Sequence, residues 1–407
     1  MGYRTVVETA TDWGVSPRRV HSYLRAGRVA GAVRFGAAWM IPSGVQKPSD
    51  PRREKKPSSF AAELDDIIAA TSAFMPRHNP DAILDAVSDE RLRPHYEGEL
   101  AYLRGDYERV VHLFRKISKL GDATKLRACP LTIATAISQG DFGLYHEIET
   151  WLKNIIQADL GAGVTAIAEL SLDTAYTGAV VPALVSGWLR DGDFSALTPP
   201  ARYDAAYIRA KYFQCVKKYE SMLDVAETAL AIYDSERGVS LPSINLRMAR
   251  VLACCQLNRF DEAKRYLMGI VKMCLPHGFI TPFVETVLDC EGLLEQCLRR
   301  EFPAYRDEVE KRWKPVTTNW VAFHNRLTQE NIMIALPLRE TQMFALAARG
   351  VPYREIAERF GLSIGRVYNI MREIYGQAAI SGKKEAAQLV MRLKERDIYP
   401  NDRKIHP

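Results

Sequence analysis

The side chains best suited to specific chemistry lie on one predicted helix near the C-terminus. Apolar residues recur along it with the spacing of a buried helical face, at Val367, Ile370, Met371 and Ile374. The residues that this pattern leaves exposed are Arg366, Tyr368, Asn369 and Arg372. Arginine can donate two hydrogen bonds to the edge of guanine, and asparagine can pair in the same way with adenine. This face of the helix is therefore suited to contacting base edges in a major groove.

A helix used in this way must be held by other elements around it. The chain from residue 336 onward predicts four short helices, at about 338–348, 352–360, 363–375 and 383–393. Gly350 ends the first helix, and Gly361 supplies a tight turn before the third. Ser363 is a good N-cap for the third helix, and Lys383 begins the fourth.

This segment resembles the LuxR-type helix-turn-helix domain over about sixty residues. The matching positions are Leu336, Arg339, Glu340, Gly350, Glu355, Ile356, Ala357, Leu362, Ser363, Val367, Ile374, Tyr375, Glu385 and Ala386. The resemblance implies a homodimer on double-stranded DNA, with contacts from Ser363, Arg366, Tyr368, Asn369, Arg372 and Lys383.

The chain departs from this family at two places. Where the family has Thr-Val-Lys and Lys-Leu, this chain has Arg-Val-Tyr at 366–368 and Gln-Ala at 377–378. The base preference of the family therefore does not carry over. The alternative is that these helices form one more helix pair of the array in the middle of the chain.

The N-terminus carries a similar pattern of residues. The stretch ATDWGVSPRRV at 10–20 matches AERFGLSIGRV at 357–367 in kind at seven positions. It predicts a helix at 8–13, a turn at Gly14 and a second helix at 17–26 with Ser16 as its N-cap. Residues 5–7 predict an extended start, and residues 33–42 predict a β-hairpin. The second helix leaves five polar residues exposed, namely Arg18, Arg19, His21, Ser22 and Arg25.

This order of elements resembles the MerR/excisionase type of winged helix-turn-helix over about forty residues. The matching positions are Glu8, Ala10, Trp13, Gly14, Val15, Ser16, Val20, Tyr23, Leu24, Gly27, Gly31, Val33, Gly36, Trp39, Ile41 and Pro42. The resemblance implies that the second helix enters the major groove and that Arg34 contacts phosphate from the hairpin. The family often has a basic residue after Gly36, where this chain has Ala37 and Ala38. The alternative is a degenerate copy that serves dimerisation.

Between these ends, residues 61–333 predict helices in pairs. The turn GDY at 105–107 recurs as GDF at 140–142 and 192–194, with looser versions at 217–219 and 258–260. Each turn is predicted to end one helix and begin another, which resembles the tetratricopeptide helix pair. Such pairs stack because one pair cannot bury its apolar face alone. Four tryptophans either fill gaps between pairs or line a ligand pocket, namely Trp151, Trp188, Trp313 and Trp320.

Charge is distributed unevenly along the 407 residues. Residues 1–60 hold 11 lysines and arginines against 4 acidic residues, residues 61–335 hold 31 against 37, and residues 336–395 hold 10 against 6. Two basic ends, which favour a polyanion, thus flank an acidic middle.

These patterns predict a mainly α fold, in which a tetratricopeptide-like superhelix is flanked by two small helix-turn-helix domains. We expect five segments: a winged helix-turn-helix at 1–42, a flexible basic linker at 43–60, a helical-repeat domain at 61–335, a LuxR-type domain at 336–395 and a tail at 396–407.

The middle carries no pattern typical of a catalytic or metal site. The sequence lacks a phosphate-binding loop, a nucleophile elbow and a zinc-protease motif, and its seven cysteines form no Cys-x2-Cys pair. Those cysteines are typical of reduced thiols in a cytoplasm, and no apolar run is long enough to span a bilayer. We expect a DNA-binding transcriptional regulator without enzymatic activity, cofactor or metal, whose middle senses a small molecule or peptide or associates with itself. The alternative is a protein-docking adaptor with degenerate ends.

Overall fold

Helices make up most of the chain, which confirms the prediction of a mainly α protein. The computed structural model describes residues 2–35, 38–48, 59–235, 238–331 and 336–377. Twenty α-helices and five short strands lie within these residues. They belong to two compact units, Met1–Ser58 and Ser59–Pro407. Lys383, the predicted fourth C-terminal helix and the predicted tail lie outside the described residues.

The first unit combines two helices with a small antiparallel sheet. Its elements are β1 (Tyr3–Arg4), α1 (Val6–Asp12), α2 (Pro17–Arg25), β2 (Val33–Phe35) and β3 (Ala38–Pro42). The predicted hairpin is confirmed, with Val33 opposite Met40, and β1 adds a third strand at the other edge of β3. Trp13, Val20 and Ile41 are buried between the helices and the sheet.

The prediction of an extended start at residues 5–7 is wrong. Only Tyr3 and Arg4 form a strand, and the helix begins at Val6. The reason is a capping box, in which the Thr5 hydroxyl accepts from the Glu8 N–H at 3.3 Å while the Glu8 carboxylate accepts from the Thr5 N–H at 2.7 Å. These two bonds begin the helix in spite of the β-branched residues Val6 and Val7.

The second unit begins with α3 (Ser59–Ala70) and continues as a series of packed helices. Two short strands, β4 (Met75–Pro76) and β5 (Gly238–Val239), pair antiparallel within it. The helices up to residue 274 are α4 (Ile83–Ala86), α5 (Arg93–Arg104), α6 (Tyr107–Ile117), α7 (Asp122–Gln139), α8 (Phe142–Gln157), α9 (Ala162–Gly178), α10 (Gly187–Asp191), α11 (Pro199–Cys215), α12 (Tyr219–Tyr233), α13 (Leu241–Gln256) and α14 (Phe260–Cys274). The remaining helices are α15 (Thr281–Thr286), α16 (Leu293–Glu301), α17 (Pro303–Thr328), α18 (Leu338–Ala348), α19 (Tyr353–Phe360) and α20 (Ile364–Gln377).

Four of the five predicted turns join consecutive helices. At the first two, a left-handed glycine ends one helix and an aspartate caps the next, so that Asp106 accepts from the Arg109 N–H at 3.1 Å and Asp141 from the Leu144 N–H at 2.9 Å. The looser turns use Lys217 and Asn258, which take the left-handed conformation at φ 56° and 60°.

The third turn, at 192–194, does not begin a helix as predicted. Gly192 ends α10 in the left-handed conformation, but the Asp193 carboxylate accepts from the Ser195 N–H at 3.1 Å. This local bond closes a turn instead of capping a helix. Helix α11 begins only at Pro199, whose ring favours the first helical turn.

The long helix α17 hydrogen-bonds to the C-terminal ends of three other helices. Arg312 donates to the carbonyl of Arg104 at 3.2 Å, Asn319 donates to that of Ser138 at 2.8 Å, and His324 Nδ1 donates to that of Ala179 at 2.6 Å. These carbonyls lie in the last turns of α5 and α7 and at the C-cap of α9, where intrahelical partners are missing. One helix thus satisfies a carbonyl at the C-terminal end of each of three other helices.

All seven cysteines are buried free thiols. Burial raises the pKa of the Cys255 thiol, with a smaller contribution from Cys254, to about 12. Burial likewise raises the pKa of Cys274 to about 12 and that of Cys297 to about 11. The thiols therefore serve as small apolar groups in the helical core.

The substitution Gly178→Ala tests how closely α17 packs against α9. A Cβ atom at position 178 would lie 1.9 Å from a ring carbon of Trp320, so the indole must move. Because overpacking costs about 1–3 kcal/mol, we expect a lower midpoint in thermal denaturation of the full-length chain.

Gly269→Ala in α14 is the matched control. Among the described residues, a Cβ atom there meets no atom within 4 Å. Replacing an unhindered helical glycine by alanine stabilises by about 0.5–1 kcal/mol, so this midpoint should rise. Equal shifts in the two variants would contradict the close contact between α9 and α17.

Candidate nucleic-acid interface

Helix α20 has a buried side and an exposed polar side. Val367, Ile370, Met371 and Ile374 are all buried, which confirms the predicted apolar face. The four polar residues predicted to be exposed are exposed, and they are Arg366, Tyr368, Asn369 and Arg372. The helix thus presents two cations, an amide and a phenol on a surface opposite its core.

Short contacts order this exposed surface of α20. The Arg372 guanidinium donates to the Asn369 side-chain oxygen at 3.2 Å. The ring of Tyr353 meets that of Tyr368 edge-on, with the centroids 4.8 Å apart. The Ser363 hydroxyl accepts from the Arg366 N–H at 3.2 Å, so Ser363 caps the helix as predicted.

Helix α2 of the first unit has the same division into two sides. Val20, Tyr23 and Leu24 are buried. The predicted polar residues are exposed, and they are Arg18, Arg19, His21, Ser22 and Arg25. Arg34 is exposed on β2, which belongs to the hairpin that follows.

The two ends share the same turn between their helices. In both, a left-handed glycine, Gly14 or Gly361, ends the first helix at φ 61° or 63°. The amide of the next residue donates to the equivalent carbonyl in each turn. Val15 N–H donates to the carbonyl of Ala10, and Leu362 N–H donates to that of Ala357, each at 2.9 Å. The similar residues at 10–20 and 357–367 therefore form the same local structure.

Ser16 is the N-cap of α2, as predicted, but it caps the helix differently from Ser363. Ser16 occupies the N-cap position of α2, but within the described residues its hydroxyl accepts no capping hydrogen bond. Its backbone carbonyl accepts from the first turn, from the Arg19 N–H at 2.9 Å and from the Val20 N–H at 3.3 Å. Pro17 at the first helical position, with its φ preset for a helix, supplies the start that the hydroxyl does not.

Helices α18 to α20 pack against the preceding helices of the second unit. Glu291, which is 6% exposed, accepts from Arg359 at 3.0 Å and also pairs with Arg349. The carbonyl of Phe360, next to the shared turn, accepts from Arg299 at 3.2 Å. Gln342 donates to the carbonyl of Val287 at 2.7 Å. These contacts hold the three helices from the side of α18 and α19.

A cavity within the second unit was not predicted from the sequence. It has a volume of about 130 Å³ and lies chiefly among α5, α6, α7, α9, α11 and α13. Its wall includes charged residues at positions that face the interior, among them Glu99, Arg127, Asp204 and Lys211. Charged residues at positions that the helical pattern places in the interior were the sequence signal that could have predicted this cavity. Trp320 also lines this cavity, whereas Trp313 is buried in the core.

Comparison with protein-family models, with curated proteins and with solved structures finds no match for this chain. In the part of the chain that the structure describes, no cluster of histidine, cysteine, aspartate and glutamate is suited to a metal ion. No helix in that part is long and apolar enough to cross a bilayer.

Glu291→Gln should loosen α18–α20 from the rest of the second unit. Removing one partner of a buried ion pair costs about 3–5 kcal/mol, because the remaining charges stay buried. Backbone amides of α19 should then exchange with deuterium about a hundredfold faster or more, while those of α7 keep their rate.

Glu373→Gln is the control, because it makes the same chemical change at an exposed position of α20. Its exchange rates should match those of the original protein. Similar rates for α19 in the two variants would show that Glu291 does not hold these helices.

Proposed function

We propose that this protein is a DNA-binding transcriptional regulator. The observation that carries the proposal is α20, a capped helix after a glycine turn with Arg366, Asn369 and Arg372 on its exposed side. Arginine and asparagine are the side chains best suited to guanine and adenine edges. The contacts of Glu291 and Phe360 lie on α18, α19 and the turn, away from these three residues.

In this proposal, α18–α20 form a LuxR-type helix-turn-helix and the first unit forms a winged helix-turn-helix of the MerR/excisionase type. Helix α2 would enter a major groove through its exposed residues, and Arg34 would contact phosphate from the hairpin. The helices between them form a divergent tetratricopeptide-like array that senses an effector. Two modules in one chain raise affinity through effective concentration, and a homodimer would add two more.

Charge supports this proposal. Residues 2–48 hold 7 lysines and arginines against 2 acidic residues. When exposed cations of this unit neutralise phosphates, they release the counterions that are condensed on the DNA. The affinity for DNA should therefore fall steeply as the salt concentration rises.

Selection from a random-sequence duplex library tests the proposal. Three full-length proteins are compared: the original chain, one with Arg18, Arg19 and Arg25 replaced by alanine, and one with Arg366, Asn369 and Arg372 replaced by alanine. We expect the original chain to select a sequence and each variant to lose part of it. If the original chain binds no duplex even at low salt, the regulator proposal fails and a protein-docking adaptor remains.

Single substitutions in α20 separate base contacts from phosphate contacts. Arg366→Ala and Asn369→Ala should each reduce discrimination between the selected site and its single-base variants by about 1–3 kcal/mol, since each removes a bidentate contact. Fluorescence anisotropy with labelled duplexes at one salt concentration measures this difference.

Lys314→Ala is the control, since it removes one positive charge from an exposed position of α17. It should leave discrimination unchanged. If Arg366→Ala and Asn369→Ala weaken all duplexes equally, α20 does not select the sequence.

A further inference from the structure

The cavity among the inner helices has the size and wall of a binding site for a small molecule. Its volume of about 130 Å³ is slightly below that of an apolar cavity of about 150 Å³ that binds benzene. Aromatic rings of Tyr102, Tyr207 and Trp320 line it beside aliphatic side chains. An occupant therefore has about the bulk of one six-membered ring.

The positive groups of the wall have acidic partners. The Arg127 guanidinium lies 3.4 Å from the Asp204 carboxylate and also donates to the Thr71 hydroxyl at 2.9 Å. The Lys211 ammonium interacts electrostatically with the Glu285 carboxyl. Neither cation is therefore left to attract an anionic ligand.

Glu99 is the acidic group of the wall that forms no ion pair among the described residues. Its carboxylate accepts from the Leu241 N–H at the start of α13. Burial raises the pKa of Glu99 to about 7, even though Arg127 acts in the opposite direction. A buried carboxylate of this kind needs an opposite charge to stay ionised.

His95 lies one helical turn before Glu99 on α5, and both side chains line the cavity. Burial, assisted by Arg127, lowers the pKa of His95 to about 3, so its imidazole is neutral. Its buried Nε2 has no hydrogen-bond partner among the described residues. Because this nitrogen has almost no accessible surface, an occupant of the cavity does not reach it, and His95 adds neither a charge nor a hydrogen bond beside Glu99.

We propose that this cavity binds a small organic monocation, an ammonium group on an apolar body about one ring in size, with Glu99 as its counter-ion. The aromatic rings of the wall contact the cation and the apolar body. The regulatory meaning of the site rests on the proposed function, in which this array senses the effector.

The experiment measures binding of benzylammonium to the full-length chain by calorimetry at pH 8, where both Glu99 and the amine are charged. Benzyl alcohol and benzoate are the neutral and anionic probes of similar size. We expect benzylammonium to bind and the other two to bind at least about thirtyfold more weakly, because they leave the Glu99 charge unpaired. Equal binding of benzyl alcohol, or no binding of benzylammonium, overturns the proposal.

Glu99→Gln should weaken the binding of benzylammonium about thirtyfold or more, because it removes the counter-ion and keeps the shape of the side chain. Glu97→Gln is its control, since Glu97 is on the same helix but pairs with Arg93 and Arg109 outside the cavity. If the two variants bind benzylammonium equally, Glu99 is not the counter-ion and the proposal is wrong.

Gly98→Ala provides a test that keeps every charged group and favours the helix. The added Cβ atom lies 3.6 Å from the Leu131 side chain, an ordinary contact distance, and takes up part of the cavity volume. This substitution should weaken the binding of benzylammonium more than that of methylammonium. Equal effects on the two amines would place their binding outside this cavity and overturn the proposal.

DNA binding measured on the same samples separates the two proposals. If benzylammonium binds and no duplex is bound, the cavity site stands and the regulator proposal fails. If a duplex is selected and benzylammonium does not bind, the regulator proposal stands and the cavity proposal fails.

Discussion

The second unit depends on the hydrogen bonds that α17 makes to the ends of other helices. A helix C-terminus carries carbonyls without intrahelical partners, and three such ends meet α17 at Arg312, Asn319 and His324. The same helix places Trp320 in the cavity wall, where its indole N–H donates to the Ser138 hydroxyl at 3.1 Å. It also follows directly on α16, whose Arg299 holds the turn before α20. The inner array, the cavity and the C-terminal helices therefore share one support.

A short stretch of chain, residues 281–291, lies between the cavity and the C-terminal helices. At its start, the Thr281 hydroxyl donates to the carbonyl of Tyr102 at 2.5 Å, and Glu285 belongs to the cavity wall. Toward its end, Asp289 accepts from the Gln214 side chain at 2.9 Å, and Glu291 pairs with arginines of α18 and α19. This stretch therefore connects the wall of the cavity with the helices α18 and α19.

The sequence predicts elements that are bounded by strong local signals. Helices α18 and α19 begin and end within a residue of their predicted bounds because Gly350, Pro352 and Gly361 interrupt the chain there. The burial of Val367 follows from helical spacing alone. By contrast, the turn at Phe194 and the partners of Glu99 and Glu291 depend on residues far apart in the chain or on competing local bonds. The cavity itself was missed because nine helices, many of them distant in sequence, supply its wall.

Because its cysteines are buried, the folded chain should react only slowly with thiol reagents. A thiol reacts as its thiolate, and a group such as Cys255, with its pKa raised to about 12, is almost entirely protonated at neutral pH. All seven thiols are buried among the helices of the second unit. Separation of the helix pairs would expose several of them together. The protein thus carries its own chemical reporter of opening, spread from Cys129 to Cys297 and requiring no added label.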